Sequence, residues 1–549
     1  MNANLIISLL PPLLVLFLGY FTHRIMLSLM AGILLAALIA HDFSLLAALQ
    51  NALEVLWKNL ELYNFFSSQQ FWQANNLFIC IFLLVLGIFI TMLQVSGGAY
   101  AYSVFAKRKI RNAKSAETSA LVLSSGLFVD DYLSCLTTGA VMYPLTDTQK
   151  IPRAKLALLV DSMSGSLAIL CPFSSWVAAI VGFLGDNGIS EEASSETLIL
   201  ANPFTTFMHL LPFLFYSFIL IASIWFIVRY RISFGLMRKF ETIARDTGNL
   251  FGGANRSANK GKNVDHNPAH TTLLEFFFPI FVLLTCVLGG ILYSGNWWLL
   301  GGNNSLMNAF QSASAATGLF LGGNITLIIC TIFFILRKRI SIRTLPSVYL
   351  DGIKLMLSAA IVLLLAWTFG DMLRNQLHTG EYLASLLLDS VNITALPMII
   401  FFAGFLIAFT IGSAWGSAAM LFPIVIPLIL SMANTPSQPT LEQIPILFPV
   451  LGAVLSGCVA GNHVSPIADT TIMSCLSTHT KLKDHVHSQI QYAIPGIIIT
   501  GFAFCLSGVL IPYGLKTAIF VPIVTAIAAN FAILWILNKR AMELACVKS

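Results

Sequence analysis

The sequence predicts an all-α, polytopic helical membrane protein. It reads as an inverted-topology repeat with two re-entrant hairpins, two broken helices and about 11 spans. Three observations lead there. The chain is 57% hydrophobic and only 10% charged, with a mean hydropathy of +0.83, whereas a soluble domain carries about 25% charged residues. Its basic residues gather in a few loops. Polar and acidic residues recur inside apolar segments, in the same order in both halves.

Residues 4–22, 76–95, 204–229, 272–295 and 517–537 are each long and apolar enough for the roughly 20 helical residues that a crossing needs. The net charge of +6 is modest, and the basic residues flank spans, so they report orientation and not a nucleic-acid surface. The nine cysteines are scattered without a C-x-x-C pair, which predicts small core residues, with neither a disulfide framework nor a zinc site. The first apolar run lacks a basic n-region and reads as an uncleaved span.

Lys and Arg cluster at 107–114, 150–155, 229–262, 337–343, 481–483 and 539–548; the positive-inside rule puts these in the cytoplasm. Residues 183–203 carry Asp186, Glu191, Glu192 and Glu196 without Lys or Arg, 295–310 are uncharged, and 432–443 carry only Glu442. These are expected outside, with the N-terminus outside and the C-terminus cytoplasmic. Element 117–145 then has basic loops on both flanks and must be a hairpin entering from the cytoplasm, with Asp130 and Asp131 near its tip. Element 392–431 has external flanks and must enter from outside, with Gly412-Ser413-Ala414-Trp415-Gly416-Ser417 near its tip.

The expected organisation follows. Residues 1–75 hold N-terminal spans and an external interfacial segment rich in Trp57, Tyr63, Phe65, Phe66 and Trp72. Residues 76–229 form a first transport repeat, and 346–513 a second, inverted one. Residues 230–271 read as a flexible cytoplasmic linker, 272–345 as connecting spans, and 514–549 as the last span and a cytoplasmic tail. Each repeat has a helix interrupted by proline, at Cys171-Pro172-Phe173-Ser174-Ser175-Trp176 and at Gly461-Asn462-His463-Val464-Ser465-Pro466-Ile467-Ala468-Asp469-Thr470-Thr471. Proline removes a ladder donor, and backbone freed in a membrane survives only facing protein, water or cargo. Two tips and two breaks meeting at mid-membrane would make one polar site.

Ionisable residues at membrane depth are costly and functional by default. Asp130 and Asp131 are the first candidates for holding a cation or a proton in alternation; the competing reading is a helix cap or a cytoplasmic loop. As sequence neighbours they point apart, so one alone is expected to face the site. Asp161 is a second carboxylate or relay, or else a structural partner of Lys155 or Arg153. Ser174, Ser175, Ser413 and Ser417 offer hard oxygen ligands, against back-bonding to the helix or close helix approach. Trp176 reads as packing. Asn462, His463, Ser465, Asp469, Thr470 and Thr471 are too many polar groups to bury unpaired and should line a cavity. His463 is a candidate proton relay, with a satisfied core histidine as the alternative. Sodium is expected at Asp130, Asp131 and Asp469. Asp147, Asp371 and Asp389 read as interfacial. His479, His485 and His487 read as a cytoplasmic stretch without metal geometry.

In these motifs the sequence resembles the NhaC-type sodium/proton antiporter family of the ion-transporter superfamily. The resemblance rests on Phe128-Val129-Asp130-Asp131-Tyr132 with Thr137-Thr138-Gly139, Pro152-Arg153-Ala154-Lys155-Leu156 leading to Asp161-Ser162, Pro172 to Trp176, Gly412 to Ser417 and Gly461 to Thr471. It covers roughly residues 75–515. It implies electrochemically driven Na+/H+ exchange by a secondary carrier in the inner membrane of a prokaryotic cell. The family also includes carriers that exchange organic acids, malate for lactate, or move amino acids. It usually has Gly-Asp-His where this chain has Gly461-Asn462-His463, which removes one charge from the expected site. It usually has Asp-Ser-Thr-Ala where this chain has Asp161-Ser162-Met163-Ser164.

The expected function is therefore Na+/H+ antiport by alternating access. The alternative is Na+- or H+-coupled carriage of a small organic acid or amino acid. Lys354 is the main deep cation available to a carboxylate substrate, and helix N-termini at the breaks could serve instead. Na+, H+ and the lipid bilayer are the expected partners, with a small organic anion as the alternative cargo; homodimers are common among such carriers, though no motif here specifies one. No nucleotide-binding loop is present, so ATP-driven pumping is not expected from this chain. No cofactor is expected. Enzymatic function is not expected either, since no nucleophile elbow occurs at a suitable turn.

Overall fold

A computed structural model of the chain describes residues 7–546, apart from 23, 68–69, 108–109, 173, 195–196, 254–271, 380–390 and 434–436. The described residues are mainly helical, with one two-stranded parallel pair among them, Ile189–Ser190 beside Ile199–Leu200. Among the described residues, ten helices are long and apolar enough to cross a membrane, or 11 when the bent pair Arg153–Leu170 and Ser175–Asp186 is taken as one span. Leu10–Thr22 and Ile25–Ala40 are shorter, at 13 and 16 residues. Leu45–Leu60 follows as an amphipathic helix with Leu46, Leu53 and Trp57 exposed. That pattern suits the expected interfacial segment.

Polar contacts define two ends. At a basic end, Lys155 pairs with Glu117 (2.9 Å) and Arg231 with the same carboxylate (2.6 Å). Arg153 there pairs with Asp147 (2.7 Å) and donates to the Thr478 carbonyl (3.4 Å). At an acidic end, Asn76 bridges Glu61 and Asp186, and Leu200 donates to the Pro439 carbonyl (3.0 Å). A cavity of about 540 Å³ opens at this end, lined by Glu61, Asn76, Asp186, Glu191 and Glu192.

These contacts fix the hairpins. The first hairpin, Ala113–Gly126 and Asp131–Thr148, has Glu117 near its start and Asp147 near its finish, both at the basic end. The second, Leu396–Ile411 and Ala414–Ala433, starts where Thr394 packs on Gly508, at the far end of the helix Leu482–Leu510 from its basic start beside Thr478, and leads to Pro439 at the acidic end. Each therefore returns to the end it entered, and the two enter from opposite ends. The broken helices cross between: Arg153–Leu170 with Ser175–Asp186, bent by 54°, and Leu447–Val464 with Asp469–Thr478.

The halves pack alike. In each, both hairpin limbs lie against the first piece of that half's broken helix. The second limb of each hairpin also touches the second piece of the other half's broken helix. The leading helices of the halves, Asn75–Val95 and Leu345–Asp371, cross at Gly87 and Gly352. A Cβ added to Gly87 would lie 2.2 Å from the Gly352 carbonyl oxygen, so only glycine allows the approach.

One sequence expectation needs correction. Residues 231–253 are not a flexible linker. Gly235–Thr247 is a helix whose Glu241 meets Lys155, and the amide of Arg153 donates to the Leu250 carbonyl (3.2 Å). The strongly amphipathic sequence of this stretch, with Met237, Phe240 and Ala244 buried, gives it an apolar face to dock. The remainder of the expected linker, 254–271, lies outside the described residues, as does Asp389.

Candidate cation and proton site

The tip of the first hairpin meets the first helix break. Asp130 ends the extended stretch and caps the helix Asp131–Thr148. Its Oδ1 accepts from the Leu133 amide (2.9 Å) and its Oδ2 from Ser175 Oγ (2.8 Å). Asp131 Oδ2 accepts from Trp176 Nε1 (3.0 Å). The Ser175 amide donates to the Val129 carbonyl (3.2 Å), which ties the two irregular backbones together. Both carboxylates are buried, at 1% and 2% exposure. Adjacent residues of one break, Ser175 and Trp176, hold one carboxylate each.

The second half reaches the same place. Asp469 opens the second piece of its broken helix, and Oδ2 accepts from Tyr132 Oη (3.1 Å), next to Asp131 in sequence. Trp415 packs against Trp176 with ring centres 4.9 Å apart and ring planes tilted by 42°. Trp176 is thus a hydrogen-bond donor and a bridge between halves, beyond the packing role expected of it. Ser413 caps its helix by accepting from the Gly416 amide (3.1 Å), and Ser417 donates back to the Ser413 carbonyl (2.6 Å). Ser174 caps Ser175–Asp186, and Ser465 donates to the Phe409 carbonyl (2.8 Å), fixing the second break to the second hairpin.

A second cluster centres on Asp161. Its Oδ2 accepts from Thr471 Oγ1 (3.2 Å), His485 Nε2 (3.1 Å) and Gln489 Nε2 (2.8 Å). Gln489 also donates to the His463 carbonyl. His463 is a satisfied core histidine: Nε2 pairs with Ser162 Oγ (2.9 Å) and Nδ1 with Tyr216 Oη (2.8 Å). Asn462 donates to Thr470 Oγ1 (3.0 Å).

Three expectations change here. Asp161 is not the partner of Lys155 or Arg153, because those cations belong to Glu117, Glu241 and Asp147 at the basic end. His485 is not in a solvated stretch; it is fully buried beside Asp161. The helix Leu482–Leu510 begins early enough to carry His485, Ser488, Gln489 and Tyr492 inward on one face. That i, i+3, i+4, i+7 spacing was the available signal. Lys354 is not deep either: its side chain is 72% exposed and pairs with Asp351 one turn away.

The model of the Na+/H+ antiporter family matches residues 167–509, a stretch that begins after Asp130, Asp131 and Asp161. An uncharacterized protein of Haemophilus influenzae is 29% identical over 511 residues, covering 90% of this chain and 91% of that protein. Among solved structures, the Alcanivorax borkumensis YdaH transporter, described as having an unusual topology, aligns with a TM-score of 0.48 at 14% identity. That alignment covers 85% of this chain and 89% of that one. Neisseria gonorrhoeae MtrF, described within a class of antimetabolite efflux pumps, aligns with a TM-score of 0.43 at 14% identity over 84% of each chain. The family match takes in the second half and both helix breaks, and the chain is a multi-pass secondary transporter that belongs to the Na+/H+ antiporter family.

Proposed function

We propose that the protein exchanges Na+ for H+ across the cytoplasmic membrane, with Asp130, Asp131 and Asp469 as the carboxylates that hold the cargo. One observation carries the reading. Asp130 and Asp131 are buried where the first hairpin tip meets the first break, Asp469 lies exposed at the second break and is tied to them through Tyr132, and none of the three takes part in an ion pair among the described residues. Charge buried without a partner is strongly disfavoured. A sodium ion or protons from outside the chain must then supply the positive charge, and each excludes the other.

The same observation weighs against an organic anion as cargo. A carboxylate substrate needs a cation or an open helix N-terminus at the centre, and Asp130 already caps the N-terminus at the hairpin tip. Lys354 is exposed, and Lys155 is held at the basic end between Glu117 and Glu241. By the positive-inside rule the basic end faces the cytoplasm, so the acid-lined cavity opens outward, where the exposed Glu191 and Glu192 would concentrate cations. Hairpins entering from opposite ends suit alternating access, each half shielding the centre from one side.

The test is proton flux in proteoliposomes, read by a trapped pH dye as sodium, lithium and potassium are added in turn. Sodium-driven proton movement should be present in the wild type and abolished in Asp131→Asn. Normal exchange in that variant would overturn the assignment.

A further inference from the structure

A small cavity lies next to the Asp161 cluster, lined by Asp161, Gly165, Ser166, Trp176, Val459, Asn462, His463 and Thr470, with a volume of about 10 Å³. That is room for about one water-sized occupant. We propose that it is a second cation seat, separate from the Asp130–Asp131–Asp469 centre and taking one dehydrated alkali cation. The proposal rests on the reading of this chain as a cation carrier and adds a site to it.

The argument is an inventory of the wall. Asp161 Oδ2 is saturated by three donors, all from the pieces Asp469–Thr478 and Leu482–Leu510. Its Oδ1 is buried and has no hydrogen-bond partner, and Asp161 as a whole is 4% exposed. The nitrogen donors of the wall are committed elsewhere. Trp176 Nε1 is on Asp131, the Asn462 amide nitrogen is on Thr470, and both ring nitrogens of His463 face hydroxyls. What is left to meet an occupant is oxygen: Asp161 Oδ1, the Asn462 amide oxygen and the Ser166 hydroxyl. A wall with one carboxylate oxygen, one amide oxygen and hydroxyls free to turn their lone pairs inward favours a hard cation over an anion. An unmatched buried carboxylate oxygen costs free energy until a cation or donor reaches it.

His485 and Gln489 act through Asp161 as positioning residues, since they occupy Oδ2 and leave Oδ1 without a hydrogen-bond partner. Trp176 is common to both places: its indole nitrogen holds Asp131 while the residue lines the cavity. Occupancy of one seat is therefore felt at the other through a single side chain.

Sodium titration by calorimetry of the purified full chain in detergent tests this, with wild type, Asp131→Asn, Asp161→Asn and Asn462→Asp compared at one pH. Two sodium ions per chain are expected in the wild type. Asp161→Asn should lose one of them or weaken it by about tenfold or more, the loss expected for a contact to a charged group. Asn462→Asp adds a carboxylate to the wall and should tighten one site by a similar factor, a gain that misfolding cannot produce. If Asp161→Asn and Asn462→Asp both titrate as wild type while Asp131→Asn loses sodium, the cavity holds water and the second seat is refuted, with the exchange reading intact. Sodium binding altered at Asp161 and Asn462 but without sodium-driven proton flux would refute the exchange reading and keep the seat. No sodium uptake by the wild type would overturn both.

Discussion

In the first half, the residue that caps the second hairpin limb is a carboxylate, Asp130, and the first residue beyond the helix break is a hydroxyl, Ser175. In the second half the same two positions hold Ser413 and Asp469. The correspondence is geometric. Asp130 and Ser413 each accept from the amide three residues on, at Leu133 (2.9 Å) and Gly416 (3.1 Å). Ser175 and Asp469 each open the outgoing helix. Tyr132 and Trp415, each second in its limb, reach the other half's break, one at Asp469 and the other at Trp176. Acid and hydroxyl have traded places, so each half contributes one carboxylate at this level, and Asp131 is the first half's additional charge.

The sharpest way to break this comparison is to move the charge. Asp469→Ser alone should lower sodium-driven proton flux by about 10–100-fold, the equivalent of a charged contact worth about 1.5–3 kcal/mol. Adding Ser413→Asp restores a carboxylate at the pseudo-equivalent position and should recover a substantial part of that loss. A double variant as inactive as the single one would mean that the two positions are not equivalent in the cation's view.

Most of this arrangement was legible in the sequence, for physical reasons. Charge asymmetry between loops marked which apolar elements must turn back, because a hairpin is the one way to return to the same face. Prolines 172 and 466 marked the breaks, because a missing amide donor cannot be hidden in lipid. What could not be read was partner choice across distant elements. Asp161 finds His485 324 residues away, and no local pattern encodes that. His485 was misplaced because nearby Lys481 and Lys483 mark a solvated boundary, while the helix they lead into turns His485 and Gln489 inward. Lys155 was invisible as an end latch because Glu241 lies in a stretch whose glycines and asparagines suggested a plain linker.

The halves also differ in how each hairpin is fastened, and this gives the second comparison. The entry limb of the first hairpin is held by a buried ion network: Lys155, with its side chain 2% exposed, lies between Glu117 and Glu241, and Glu117 also takes Arg231. The entry limb of the second is zipped to its broken helix by close backbone contact. A Cβ on Gly457 or Gly461 would lie 2.3 Å from the carbonyl oxygens of Phe401 and Phe405. Removing the cation leaves Glu117 buried with Arg231 as its one remaining ion-pair partner among the described residues, so Lys155→Met should cost about 3–5 kcal/mol, read as a lowered unfolding temperature in detergent. Gly457→Ala should cost about 1–3 kcal/mol by overpacking. Helix propensity alone favours alanine by about 1 kcal/mol, so a stabilised variant would show that the seam is looser than the geometry gives. High salt should weaken the first fastening at its exposed member Arg231 and leave the second unchanged.

The smallest effect concerns the mouth of the acid-lined cavity. Glu61 lies outside the spans, in the left-handed backbone that ends the helix Leu45–Leu60. Burial pushes its carboxyl up to about 8, with the nearby Asp186 carboxylate adding to the rise and the Asn76 amide, 2.7 Å from Oε2, opposing it. The folded protein thus keeps this proton where the unfolded chain has lost it, between the ordinary glutamate value of 4.5 and about 8. Because the unfolded state binds fewer protons in that window, stability must fall as pH rises through it and level off above. Glu61→Gln keeps an oxygen to accept from Asn76 but has no proton to lose. Its unfolding temperature should therefore decline less than that of the wild type from pH 5 to pH 8, with the gap widest at the alkaline end. Parallel curves would mean that Glu61 is ionised throughout and that the cavity mouth carries its full negative charge at neutral pH, which would strengthen its pull on cations while removing it as a pH-dependent element.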